Sequence, residues 1–175
     1  MNTALHFSSE SGTWSTPRPF FAQLDREFHF TLDVCAMPET ALCPHYYTPP
    51  LGMDYECLWP GRAECDAFAH EWRGMCWMNP PYGREIGVWV AQAFHAAQAG
   101  HATVVCLLPS RTDTAWWHDF VMRASEVRLV RGRLKFGGAT SGAPFPSAVA
   151  IFRPDRGTSG LFKSYDLKLG DKLLP

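Results

Sequence analysis

A tetrad over residues 79–82 combines groups that suit chemistry on a flat, weakly nucleophilic amine. The side-chain carbonyl of Asn79 is one hydrogen-bond acceptor, and the main-chain carbonyl of Pro80 is a second. Pro80 and Pro81 bring no N–H and a fixed φ, so these acceptors are preorganised and face no competing donors. Two acceptors draw electron density onto the nitrogen of an exocyclic amine, and Tyr82 offers a ring on which a planar base can stack. The tetrad therefore indicates chemistry at the amino group of a base.

The tetrad follows a predicted strand, and other strands are predicted on both sides of it. The apolar run MCWM comes directly before Asn79, and the double proline ends it. ATVVCLLP, over 102–109, is a continuous apolar run typical of the middle of a parallel sheet. Four further patterns predict strands: HFTLDVCA, which ends near Asp33, HYYT, EVRLVRGRLKF and SAVAIFRP.

Three helices are predicted between these strands. They are TPRPFFAQLDREF, with Thr16 as candidate N-cap and Pro17 in the first turn, EIGVWVAQAFHAAQAG, and TDTAWWHDFVMRAS with a Thr or Asp cap. Strands that alternate with helices predict an open α/β sheet, in which ligands bind at the carboxyl ends of the strands. Asp33, the tetrad and PSRTDT after the 102–109 strand would meet at that edge.

The composition indicates one domain, and its aromatic residues are more numerous than a core of this size needs, which indicates a pocket or surface lined by rings. The chain has 175 residues, and its net charge of −1 excludes a bulk attraction to nucleic acid, so any basic surface must be local. We predict a loose arm over 1–12, a single domain over 13–154 with a loop insertion at 49–65, and a peripheral tail over 155–175. Without a signal peptide or a long apolar span, the protein is expected to be cytoplasmic.

The six cysteines indicate no strong metal site. Cys76 and Cys106 lie in apolar runs and are predicted to be core residues. The other four are separated by 7, 13 and 7 residues, and no CxxC pair occurs. A zinc site is therefore only weakly indicated, and no metal is expected. These four are Cys35, Cys43, Cys57 and Cys65.

An ordered set of segments resembles a known family. WSTP, FTLDVCA, MNPPYG, LLPSRTDTAWWH, GRLKF and APFPSAVAIF, over roughly residues 13–153, are similar to the small phage-type, Dam-like DNA N6-adenine methyltransferases. The resemblance implies a Rossmann-like, S-adenosylmethionine-dependent sheet, mostly parallel with a C-terminal antiparallel hairpin. It implies DNA as substrate, a flipped-out adenine and direct methyl transfer to N6. From the resemblance we also expect the protein to act inside a bacterial host cell, where it would protect DNA from restriction.

The resemblance implies roles for individual residues as well. Asn79, Pro80, Pro81 and Tyr82 match the catalytic motif. Asp33 is expected to pair with the ammonium of the cofactor's methionine part, and Asp66 to contact its adenine amine. The glycine-rich turn of many methyltransferases is absent after Asp33. The long 49–65 loop leaves Asp54 as an alternative to Asp66 and leaves the ribose partner unassigned, with Glu39 as a candidate. The full set expected to bind the cofactor is Trp14, Thr16, Pro17, Asp33, Cys35 and Asp66.

A second set of residues is expected to contact DNA. Arg111 and Asp113 follow the strongest strand, although a helix cap with a surface ion pair would explain them too. Four basic residues in one predicted strand have two possible roles: they are Arg128, Arg131, Arg133 and Lys135. They either form the solvated face of a strand or bind phosphates, because a nearly neutral protein needs a local basic patch to bind DNA. The full set expected to contact DNA is Arg111, Asp113, His118, Arg133, Lys135 and Phe145.

Other functions remain open from the sequence. A similar tetrad serves the N4 amine of cytosine, RNA, and the side-chain amide of a protein glutamine. A nucleic-acid-binding protein that has lost catalysis, or a zinc-stabilised module, is the alternative outside enzymes; the intact tetrad argues against lost catalysis. Since 175 residues leave no room for a large recognition domain, short or relaxed DNA sequence specificity is expected.

Overall fold

A computed structural model describes residues 14–49, 63–64, 66–154 and 161–166. The expected arm at 1–12, most of the 49–65 insertion with Cys57 and Cys65, and most of the tail lie outside these residues. Among the described residues, no helix is long and apolar enough to cross a bilayer.

One mixed sheet of eight strands organises the described part of the chain. Its strands in chain order are β1 (Leu32–Asp33), β2 (His45–Tyr47), β3 (Ala63–Glu64), β4 (Gly74–Met78), β5 (Ala102–Pro109), β6 (Glu126–Arg131), β7 (Ser147–Phe152) and β8 (Leu161–Asp166). The spatial order is β3-β2-β1-β4-β5-β7-β6-β8. β7 runs antiparallel to β5 and β6, whereas the other neighbours are parallel. The prediction of a mostly parallel α/β sheet with a late antiparallel pair is confirmed.

Within the described ranges, three α-helices accompany the sheet: α1 (Arg18–Phe28), α2 (Ile86–Gln98) and α3 (Ala115–Asp119). One face of α1 is buried in the same core as the sheet, through Phe20, Phe21, Leu24 and Phe28. β5 lies in the middle of the sheet and is buried from Val104 to Leu108, which explains its unbroken apolar sequence. The core therefore holds β4 and β5 rigidly, and the tetrad begins at the residue after β4.

The predicted Thr16 cap is wrong, whereas the predicted threonine cap of the third helix is confirmed in position, at Thr114, but not as a side-chain hydrogen bond. α1 begins at Arg18 with Pro17 as its N-cap residue, and Thr16 does not cap it. The third helix is shorter than predicted, ending at Asp119 before a 3-10 turn over Val121–Arg123. Thr114 is the N-cap residue of that helix, but its hydroxyl donates to the Arg111 carbonyl, 2.7 Å away, and makes no capping hydrogen bond.

The late strands also differ from the sequence pattern. β6 ends at Arg131, because Gly132 takes a φ of 83°, and a 3-10 turn over Phe136–Gly138 follows. The residues predicted as one long strand, EVRLVRGRLKF, thus divide into a strand and a loop. Residues 161–166, within the predicted tail, form strand β8 alongside β6 at the edge of the sheet.

Arg128 is a structural residue, so its interpretation as a phosphate-binding candidate is wrong. Its side chain is 7% exposed, and its guanidinium donates to both carboxylate oxygens of Glu27 on α1 at 2.6 and 2.5 Å. It also donates to Glu126 at 2.9 Å. The hydrogen bond from Arg128 lowers the pKa of Glu27, as expected for a carboxylate held by a cation. Arg128 therefore ties α1 to the sheet instead of reaching DNA.

Candidate active site

A pocket of about 110 Å³ lies at the carboxyl ends of two adjacent strands. Asp33 ends β1, and its register partner Trp77 lies in β4, two residues before Asn79. Three segments line most of the pocket: residues 14–16, residues 33–42 after β1, and the start of the tetrad. The predicted meeting of Asp33 and the tetrad at one sheet edge is confirmed. Parallel pairing explains it, because both strands end at the same edge.

The Asn79 amide has all its hydrogens bound and its oxygen without a partner. Its Nδ2 donates to the main-chain oxygen of Trp14 and, at 2.9 Å, to the Thr16 hydroxyl oxygen. Its Oδ1 is buried and receives no hydrogen bond from any described residue. A buried acceptor left unsatisfied costs about 1–3 kcal/mol. Such an atom at a pocket wall is suited to accept an N–H from a ligand.

The two prolines form the pocket wall next to Asn79. Pro80 is buried and Pro81 is half-buried, and both line the pocket. Their rings end β4, because proline cannot continue the ladder of main-chain hydrogen bonds. The first three residues of the tetrad therefore follow the end of β4 and line the pocket.

Tyr82 lies deeper than the sequence predicts. Its ring is 6% exposed, its hydroxyl donates to the Leu107 carbonyl of β5 at 3.1 Å, and burial raises its pKa. Phe145 packs edge-to-face with the ring at 5.4 Å between centroids, and Phe136 does so at 6.1 Å. The two phenylalanines cover the ring, and Tyr82 does not line the pocket.

Asp33 is a buried carboxylate with no cation beside it among the described residues. It is 2% exposed, and its two oxygens accept only the main-chain N–H groups of Cys35 at 3.3 Å and Leu42 at 3.2 Å. Burial raises the pKa of Asp33 to about 7, against the opposing effect of these two hydrogen bonds. A ligand ammonium in the pocket would satisfy this carboxylate.

Of the other residues predicted to bind the cofactor, some line the pocket and some do not. Trp14, Thr16 and Cys35 line the pocket, whereas Pro17 and Asp66 do not. Asp66 takes a φ of 63° and accepts the N–H of Phe68 at 3.0 Å, as an aspartate in a turn does. Glu39 is exposed and also does not line the pocket.

Sequence reasoning missed four pocket residues in the segment after β1. Ala36, Met37, Thr40 and Leu42 line the pocket beside Cys35. Thr40 closes a turn by donating its hydroxyl to the Met37 carbonyl at 3.3 Å and accepting the Met37 N–H at 3.0 Å. Their position directly after a strand that ends in Asp33 was the available signal, since loops at this edge form ligand sites.

Of the predicted DNA residues, Phe145 alone is packed against the site; Arg111, Asp113, His118, Arg133 and Lys135 are exposed. His118 is hydrogen-bonded through Nε2 to the Thr112 carbonyl at 2.8 Å. Among the described residues, no ion pair joins Arg111 to Asp113. Arg133 and Lys135 lie between β6 and β7, in the same segment as Phe145.

The described residues hold no cluster of three or more metal-ligating side chains. Cys35, Cys43, Cys76 and Cys106 are free thiols. Burial and the neighbouring Asp33 charge raise the pKa of the Cys35 thiol well above its usual value, so it is neutral. Because Cys57 and Cys65 lie outside the described residues, the zinc alternative is not tested.

The described residues form an α/β sheet with a pocket at the carboxyl ends of its strands, and the pocket lining includes a buried carboxylate and an amide whose oxygen has no partner among these residues. Residues 5–166 match the family described as DNA N-6-adenine-methyltransferase (Dam), and the chain belongs to this family. It is also 28% identical over 166 residues to the "DNA N-6-adenine-methyltransferase" of Haemophilus phage HP1 (strain HP1c1), across 90% of this chain and 87% of the relative. The predicted family is confirmed, and so is the predicted class of enzyme, a methyltransferase of adenine N6 in DNA.

Proposed function

We propose that this methyltransferase uses S-adenosylmethionine and acts on an adenine flipped out of DNA, with Asn79 Oδ1 accepting a hydrogen bond from N6. The observation that carries this proposal is the buried, unpartnered Oδ1 at the wall of a pocket that also contains Asp33. The N6 amine of adenine could donate to Asn79 Oδ1, and the ammonium of the cofactor could pair with the Asp33 carboxylate.

The residues of the pocket fit the proposed cofactor. The Asp33 carboxylate would hold the ammonium of its methionine part, and Trp14, Thr16 and Cys35 would line the site around it. S-adenosylmethionine supplies an electrophilic methyl group on a sulfonium when bound. Asp66, a turn residue outside this pocket, is proposed to contact the cofactor's adenine only on the strength of the family resemblance.

The sheet supports a finer proposal for the fold. Four neighbouring parallel strands, β3-β2-β1-β4, continue through β5 to an antiparallel β7, with the pocket where β1 and β4 end. We assign this arrangement to the Rossmann-like methyltransferase type. Binding at the carboxyl ends of the strands is the general rule for open α/β sheets.

The chain's own groups would prepare the amine for attack. Asn79 Oδ1 and the Pro80 carbonyl would accept the two N–H hydrogens of N6, which keeps electron density on the nitrogen. The nitrogen lone pair would form the new bond to the methyl carbon as that carbon's bond to the donor sulfur breaks, and N6 would afterwards release one proton to solvent. No side chain forms a covalent intermediate in this scheme.

The stacking role of Tyr82 requires the phenylalanines to move, and a pair of substitutions tests it. Tyr82→Ala should weaken base binding by about 1–3 kcal/mol through lost stacking. Tyr82→Phe keeps the ring but leaves the Leu107 carbonyl without its donor, so it should lower stability by about 1 kcal/mol with near-normal turnover. Turnover at saturating DNA and thermal unfolding separate these effects. Equal turnover in both variants would contradict stacking.

DNA binding is proposed to use the exposed residues near Phe145 and after β5. Arg133 and Lys135 supply positive charge in a chain of net charge −1, and Arg111, Asp113 and His118 lie beyond the end of β5. Phosphate contacts of this kind position a protein without reading sequence. We therefore propose short or relaxed target specificity.

Mass analysis of nucleosides tests the proposed function directly. DNA from cells that express the protein, and DNA methylated by the purified protein, should contain N6-methyladenine. N4-methylcytosine, or labelling of RNA or a protein glutamine in its place, would point to the alternative enzymes. Sequencing the modified positions tests specificity, and strict modification of one long site would contradict the relaxed specificity.

A further inference from the structure

The Asn79 amide is held by a short segment before α1. We name this segment, Trp14, Ser15 and Thr16, the N-terminal strap. A primary amide carries two donor hydrogens and an acceptor oxygen. Both donors of Asn79 are taken by the strap, one by the Trp14 carbonyl and one by the Thr16 hydroxyl oxygen. The oxygen is buried and has no partner among the described residues, in a residue that lines the pocket.

The strap distinguishes between the two orientations of this amide. Rotation by a half-turn would exchange oxygen and nitrogen, and neighbouring hydrogen bonds decide between such orientations. In the rotated form, Asn79 Oδ1 would lie against the Trp14 carbonyl oxygen, and two acceptors repel each other. The NH₂ group would then face the pocket, where it would repel the hydrogens of a target amine.

We propose that the N-terminal strap is a positioning element for methyl transfer: Trp14 and Thr16 hold the Asn79 amide so that its oxygen faces the target amine. The inference rests on the proposed function, and it gives Thr16 a role in turnover besides lining the cofactor pocket. Without the strap, the amide would also populate the orientation in which it cannot accept from N6.

The strap is itself anchored to the segment that covers Tyr82. The Ser15 carbonyl accepts the Gly137 N–H at 2.9 Å. The Trp14 ring packs edge-on against Phe145 at 5.0 Å and Phe136 at 5.4 Å between centroids. The strap therefore joins two parts of the site, the orientation of Asn79 and the rings around Tyr82. Its position is determined by packing, as a positioning element requires.

Thr16→Val tests the role of the hydroxyl while keeping the branched shape of the side chain. We expect kcat to fall about tenfold, because one hydrogen bond that orients the amide is lost. Calorimetric Kd for S-adenosylmethionine should change by less than about threefold, since charged groups dominate its binding. Thr16→Ser should restore most of kcat, and Thr103→Val on β5 is the matched control. A weaker Kd with normal kcat at saturation would overturn the proposal.

A double-mutant cycle shows whether Thr16 acts through Asn79. In single-turnover assays, Thr16→Val should cause no further loss when added to Asn79→Ala, because interacting residues are not additive. A further tenfold loss in that background would mean that Thr16 acts by another route. Thermal unfolding of each variant, with Thr16→Ser as the milder change, separates misfolding from misplacement.

Proton NMR tests the orientation without relying on activity. The Asn79 side-chain NH₂ signals are identified by their loss in Asn79→Ala. Both hydrogens should exchange slowly in the wild-type protein, and one should exchange much faster in Thr16→Val. Slow exchange in a protein that makes no N6-methyladenine would support the orientation and refute the proposed function. Fast exchange in an active protein, unchanged by Thr16→Val, would refute the positioning role alone.

Discussion

Asn79→Ala is expected to reduce kcat for adenine methylation about 10²–10³-fold, the loss typical of removing one preorganised polar group from an active site. The reason is that the substitution removes Oδ1, the buried acceptor at the pocket wall. Cofactor affinity should change little, because the proposed ammonium partner, Asp33, is untouched. Single-turnover methylation of DNA and calorimetric titration with S-adenosylmethionine measure the two quantities.

Controls for Asn79 separate chemistry from stability. The strap loses two hydrogen bonds in this variant, so thermal unfolding of the cofactor-free protein must be compared as well. Gln98→Ala, which removes an amide at the far end of α2, is the matched control and should leave kcat unchanged. Loss of cofactor binding with normal turnover at saturation would contradict the catalytic role of Asn79.

Asp33→Ala is expected to weaken cofactor binding with a much smaller effect on kcat at saturation. Removing one partner of a buried charge pair costs at least about 2 kcal/mol, or roughly 30-fold in Kd. The expectation follows from a carboxylate that is 2% exposed and that, among the described residues, accepts hydrogen bonds only from main-chain N–H groups. Asp119→Ala, an exposed aspartate at the end of α3, is the control and should leave Kd unchanged.

The raised pKa of Asp33, about 7, predicts that cofactor affinity depends on pH. Below pH 7 the carboxyl is protonated in the free protein, and it must lose that proton to pair with an ammonium. Apparent affinity should therefore fall about tenfold for each pH unit below 7 and level off above it. Asp33→Ala should remove this dependence. A wild-type Kd that does not vary between pH 5.5 and 8 would contradict the proposed pairing.

The raised pKa of Asp33 also makes the stability of the cofactor-free protein depend on pH, and this stability falls as pH rises. The folded protein binds this proton more tightly than the unfolded chain, whose aspartate has a pKa near 3.8. The stability contributed by Asp33 is thus fully present below pH 3.8 and is lost as pH rises through about 7. Bound cofactor should restore stability above pH 7, where the unpaired carboxylate is ionised.

The sequence by itself determined most of the helices and strands around the site, and that Asp33 and the tetrad share one sheet edge; it did not predict β3 or β8. β5 has the predicted bounds, Ala102–Pro109, because an apolar run bounded by glycine and proline is a local signal. The tetrad follows β4 for a similarly local reason, the missing N–H of its prolines. Strand direction then brought the two strand ends together, since parallel neighbours end at the same edge. The family was also predictable, because its motifs are ordered along the chain.

Only the tertiary structure decided how individual polar and aromatic side chains are used. Thr16 has the sequence position of a helix cap, but its partner is Asn79, 63 residues away. Arg128 alternates like a surface residue, but it is buried against Glu27, 101 residues away. The covering of Tyr82 by Phe145 depends likewise on a loop distant in sequence. Local patterns cannot predict such contacts, because a hydrogen bond or ring contact depends on distance in space and leaves no periodicity in either segment.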